Sequence, residues 1–199
     1  MVIMKPTLLR LMAVLGLLAP AALCAVPKPD IITRSEWGAL EARPYREQTP
    51  ARFTIHHSAV HFTKERDAAT HIKNIQTWGM GEARNWTDIP YHFIIDPNGK
   101  IFEGRNLLVE GESNTDYDTS GHVQINLLGN FEEQEPTAEQ LRAAVALMAW
   151  LSRQHGIPTD TIKTHRDFAS TLCPGKNLYR LVENGFFQKE AAKLTRPAK

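Results

Sequence analysis

The sequence predicts a single α/β domain with a mixed central sheet of about five strands flanked by helices. Three observations predict it. Short runs rich in strand formers alternate with segments whose apolar residues recur at helical spacing. Two of those runs flank an Asn98-Gly99 turn, a hairpin signature that puts an antiparallel pair into the sheet. The length, 199 residues, fits one domain with a short appendage.

Residues 1–25, MVIMKPTLLRLMAVLGLLAPAALCA, have a basic start at Lys5 and Arg10, an apolar run from Leu11 to Leu23, and small residues after it. This is the design of a signal peptide that is removed on export. A membrane anchor needs about 20 apolar residues, and this run is shorter and broken by Pro20. The mature chain is therefore expected outside the cytoplasm, periplasmic or secreted, without stable membrane insertion. Cleavage fits after Cys24 or after Ala25. A lipid anchor on Cys24 is the disfavoured alternative, because Leu23 stands where a small residue is needed.

Residues 26–51 read as a proline-spotted polar arm. A main domain is expected over 52–180, with a terminal helix and basic tail over 181–199. Within the domain, 52–58 (RFTIHHS) alternates as a strand, and Ala68, Ile72 and Ile75 predict an amphipathic helix over 64–78. The hairpin covers 91–103. The polar stretch 106–121 is a long loop, a length that in compact domains often carries function. Residues 122–129 (HVQINLLG) form a further strand. Thr137 and Gln140 make a capping box that opens a helix, which Gly156 ends. A short strand over 161–164 leads into His165, and a last helix covers roughly 177–193.

Lys+Arg 23 against Asp+Glu 22 leaves +1 on the full chain. Loss of Lys5 and Arg10 with the signal brings the mature chain to −1, so a general attraction to nucleic acid is not expected. Hydrophobic residues at 42% exclude a disordered chain. Removal of 1–25 leaves Cys173 as the one cysteine, a liability in an oxidising compartment unless something protects the thiol.

His56 and His57 end one strand, His165 ends another, and Cys173 follows eight residues later. Two imidazoles and a thiolate from strand ends and a loop suit a zinc site that keeps one position open. A coordinated thiolate would also explain the lone cysteine. Successive strand residues face opposite sides. His57 shares its side with Phe53 and Ile55, whereas His56 shares its side with Thr54 and Ser58, so His56 is the expected ligand. Spacing alone leaves open an inert buried Cys173 and surface histidines.

The blocks Thr54-Ile55-His56-His57-Ser58-Ala59, Trp86 to Ile95 with Glu103-Gly104-Arg105, Asn126 to Phe131, and His165-Arg166-Asp167 through Thr171-Leu172-Cys173-Pro174-Gly175 resemble the type-2 N-acetylmuramoyl-L-alanine amidases. That family includes phage lysozyme-amidases and animal peptidoglycan recognition proteins, and Arg34 to Ala39 is similar to the recognition-protein branch. The resemblance runs from about residue 32 to residue 178. It implies one Zn2+ held by His56, His165 and Cys173, with Tyr91 and Thr171 at catalytic positions. It also implies His57, His92, Arg105 and Asn130 as substrate-binding or supporting residues. The implied substrate is peptidoglycan or a muropeptide, cut at the amide between N-acetylmuramic acid and L-alanine. A binding module that holds peptidoglycan without cutting it is the alternative; such relatives typically lack the cysteine. Members often carry Gly-Ala-His after the Gly-Arg, whereas this loop reads Gly111-Glu112-Ser113, which changes the groove lining.

Overall fold

The protein is described by a computed structural model over residues 26–196. The signal segment 1–25, with Cys24 and its lipid alternative, and residues 197–199 lie outside the described residues. Strand β1 (Ile31–Ile32) comes from the predicted arm and pairs in parallel with β4 (Ile101–Glu103). The five predicted strands are all present: β2 (Arg52–His57), β3 (Phe93–Ile95), β4, β5 (His122–Leu127) and β6 (Lys163–Thr164). The resulting six-stranded sheet has the order β1-β4-β3-β5-β2-β6. Only the β3–β4 hairpin is antiparallel; the other pairings are parallel, so the sheet is mixed.

Helix α1 (Ala68–Met80) starts later than its apolar spacing predicts, because the Asp67 side chain accepts from Thr70 N and caps it there. Helix α2 (Ala138–His155) has the predicted capping box, with Thr137 and Gln140 satisfying each other's backbone N–H groups. It ends at Gly156, whose φ of 68° is the left-handed conformation that favours glycine. The last helix is in fact two, α3 (Lys176–Glu183) and α4 (Phe186–Thr195). Gly185 separates them with φ 78°, which an α-helix cannot accommodate.

Three layers result. On one side of the sheet, Phe53, Ile55, Phe93, Ile95, Ile125 and Leu127 pack against Leu147, Met148 and Leu151 of α2 and Phe187 of α4. Each such side chain contributes about 1.5–3 kcal/mol by leaving water. On the other side, Ile94 and Phe102 meet Ile72 of α1, with Trp37, Phe62 and Ile89. Trp37 belongs to this core, its indole N–H donating to Glu103 O.

This second side also carries a buried polar row. Strands β2 and β5 run in register with Thr54 beside Gln124 and His56 beside Asn126, and all four are buried. Loop 106–121 covers part of this row. His122 pairs through Nδ1 with Thr54 Oγ1 at 2.7 Å, and His92 Nδ1 accepts from Gln124 N at 2.9 Å. Burial lowers the pKa of each imidazole from 6.5 to about 4. Below pH 6.5 the unfolded chain takes up protons that these folded sites refuse. Their contribution is therefore fully present above that pH and is lost on acidification toward about 4, by up to about 1.4 kcal/mol per pH unit for each histidine. A urea-unfolding series should show the midpoint falling across this window; a flat midpoint would contradict the burial of neutral imidazoles. Among the described residues no helix is long and apolar enough to cross a membrane.

Candidate metal centre

The carboxyl ends of parallel strands are where open α/β sheets place their ligands. Strand β2 delivers His56 there, and β6 runs straight into His165, the first residue of a single 3₁₀ turn (His165–Asp167). Thr164 and Asp167 cap this turn reciprocally, which fixes how His165 leaves the sheet. Cys173 arrives on the following loop. The Thr171 hydroxyl accepts from Cys173 N at 3.2 Å, and the His57 N–H points at Cys173 Sγ at 3.4 Å.

One ligand atom from each of His56, His165 and Cys173 lies within 4.8 Å of the others. His56 Nδ1 stands 3.7 Å from Cys173 Sγ, and the His56 and His165 ring centres are 4.7 Å apart. Burial pushes the Cys173 thiol up to about 12 and the His165 imidazole down to about 4, and it holds His56 well below its ordinary value. Neutral imidazoles offer lone pairs, and a buried thiolate becomes affordable only beside a cation. His56 Nε2 is buried without a protein hydrogen-bond partner. Two imidazoles and one sulfur fit zinc with a free coordination position.

The cluster opens into a cleft of about 320 Å³ walled by Trp86, Pro90, Tyr91, Thr171 and loop residues 112–115. The Tyr91 ring is centred 5.3 Å from that of His56, and burial raises its phenol pKa above the ordinary value. Tyr91 precedes β3, yet Arg105 N donates to its carbonyl at 2.8 Å, so the hairpin ladder holds its backbone.

The remaining sequence-predicted residues sit around this centre in different ways. His57 lines the cleft and accepts from Phe131 N at 3.3 Å, bracing the loop after β5. His92 is fully buried, tied to Gln124 N and to the Val109 carbonyl, away from the cleft wall. Arg105 is buried too. It donates to the carbonyls of Asp88, Ile89 and Glu110 and pairs with Glu112, so it fastens the Trp86–Pro90 wall to the loop from behind. Asn130 accepts from Glu132 N at 3.3 Å within its own turn and is not among the cleft residues. Of the two roles implied for His92, Arg105 and Asn130, binding substrate or supporting the site, their contacts in this structure are those of internal struts and a turn residue.

Sequence reasoning missed Gln124, Asn126, Thr115 and Tyr117. The Thr115 hydroxyl hydrogen-bonds His165 Nε2, and the Tyr117 ring packs 5.2 Å from the His165 ring while stacking on Phe168. The length of loop 106–121 was the available signal for the last two. Gly111 lets that loop approach the sheet: a Cβ there would collide with the Gln124 amide and stand 3.1 Å from the Pro90 carbonyl. Gly111→Ala should cost about 1–3 kcal/mol through overpacking. An unchanged denaturation midpoint would show that the loop has room to lift.

Comparison with known proteins gives a consistent answer. Residues 46–176 match the family described as N-acetylmuramoyl-L-alanine amidase. Peptidoglycan recognition protein 1 of Mus musculus is 32% identical over 176 residues, 86% of this chain and 94% of its own. Peptidoglycan-recognition protein SC2 of Drosophila melanogaster is 32% identical over 164 residues, covering 79% and 87%. Among solved structures, human PGRP-Iβ C in complex with glycosamyl muramyl pentapeptide superposes with a TM-score of 0.71 at 30% identity, covering 78% of this chain and 96% of that one. Bumblebee PGRP-SA gives 0.72 at 28% identity, covering 79% and 95%.

Proposed function

Because this chain belongs to the N-acetylmuramoyl-L-alanine amidase family, we propose that it is a zinc-dependent hydrolase acting outside the cytoplasm. It cuts the amide between N-acetylmuramic acid and L-alanine in peptidoglycan or its fragments. The observation that carries this reading is the convergence of His56, His165 and Cys173 within 4.8 Å at the floor of an open cleft. Substrate class is supported by relatives whose structures hold muramyl peptide or tracheal cytotoxin. The pattern of residues 1–25 supports export.

His56, His165 and Cys173 would hold the ion, which when bound would supply Lewis acidity and a more acidic water to the reaction. Tyr91 supplies the complementary donor. Its phenol stays protonated in this buried setting and donates to the carbonyl oxygen as negative charge gathers on it. The same hydroxyl passes its proton to the departing amine and regains one from the attacking water, so the phenol ends the reaction protonated. Thr171 acts through Cys173, whose backbone N–H it anchors. Arg105 and Gly111 keep the loop wall in register with the Trp86–Pro90 wall.

The competing reading, a module that binds without cutting, has no use for the thiol of Cys173. Mass spectrometry of purified muropeptides after incubation with the zinc-loaded protein decides between them. Free stem peptide together with peptide-less glycan is the expected result. Muropeptides that are bound yet returned intact would establish the binding module instead.

A further inference from the structure

Strand β5 lies between β2 and β3, the interior of the sheet, where apolar side chains are the usual filling. Asn126 breaks that expectation. It is completely buried, and neither its amide nitrogen nor its oxygen has a protein partner. A buried carboxamide without a partner is costly, and such violations concentrate at functional sites. Its register neighbours are informative: His56 on one flank and Ile94 on the other, all facing the same side.

His56 presents Nδ1 to Cys173 Sγ at 3.7 Å, which makes Nδ1 the nitrogen suited to hold the ion. The proton then resides on Nε2, which is itself buried and without a protein partner. An N–H needs an acceptor, and the neighbouring strand, about 4.8 Å away, carries Asn126 at the matching position, its Oδ1 likewise without a partner in this structure.

We propose that Asn126 is a positioning residue for the ion site, its oxygen taking up the His56 Nε2–H once an ion occupies Nδ1 and so fixing the ring in that tautomer. This rests on the zinc reading of the His56, His165 and Cys173 cluster. It goes beyond that reading by making ion affinity depend on a side chain that does not touch the ion. Outer partners of ligating histidines typically set affinity by about 10–100-fold.

The test measures zinc affinity of the full chain by competition with a chromophoric chelator, for wild type, Asn126→Leu and Asn126→Asp. Thermal melting of the zinc-free proteins runs in parallel. Asn126→Leu should weaken zinc binding by about 10–100-fold while the zinc-free protein melts no lower than wild type. Asn126→Asp keeps the acceptor and should bind zinc within a few-fold of wild type. Wild-type affinity in Asn126→Leu would overturn the proposal. So would a lowered melting point in the zinc-free Asn126→Leu protein, since that assigns the residue to the core. A wild-type chain that binds no zinc would sink the zinc reading itself and this inference with it, whereas tight zinc binding that ignores position 126 sinks the inference alone.

Discussion

Cys173→Ser is expected to lose bound zinc and turnover together. A serine hydroxyl in the same loop is hard and protonated, and it cannot replace a thiolate as a zinc ligand. Removal of a single oxyanion donor costs enzymes about 10²–10³ in rate. An ion held there would supply both carbonyl polarisation and water activation, so its loss is expected to cost more than that range. Chelation of the wild-type protein should reproduce the loss, and added zinc should reverse it there but not in Cys173→Ser. Elemental analysis beside a muropeptide assay checks both halves. Turnover that persists in demonstrably metal-free protein would refute the mechanism. The Cys173 loop is pinned through its own backbone to Thr171, so the exchange should leave the fold in place.

Tyr91→Phe should separate chemistry from metal binding. The ring packs 5.3 Å from the His56 ring, and its shape is retained in phenylalanine. Zinc content and KM are therefore expected to stay near wild type. Only the hydroxyl is lost, and with it a hydrogen bond made most strongly when charge has built up on the carbonyl oxygen. That pattern predicts kcat lower by about 10²–10³ with KM little changed. An unaffected kcat would remove Tyr91 from the reaction and leave the leaving-group proton to another donor.

Much of this was legible in the residues because one face was chemically distinct from the other. Alternation in 52–58 separates His56 from His57, and the structure brings His56 to the cluster while His57 braces Phe131. The capping box at Thr137 and the Asn98-Gly99 turn announce local geometry that tertiary contacts do not override. Strand β1 was hidden because two residues, Ile31 and Ile32, are too short to display a period. The split between α3 and α4 was hidden because apolar spacing continues across Gly185. Asn126 and Gln124 escaped for a different reason. Polar residues at every second position of a strand ordinarily indicate a side that faces water, and in β5 that side is roofed by loop 106–121. The motif left Arg105 open between binding substrate and supporting the site, because a charged side chain in a motif does not say what it faces; here its guanidinium is bound to backbone carbonyls.

Both margins of the sheet are formed by strands of only two residues, β1 and β6. A margin that brief offers a passing chain almost no ladder to extend, which blunts strand-by-strand recruitment of further copies. Concentrated solutions of the folded protein should therefore resist fibril growth by pairing along the margins of the sheet.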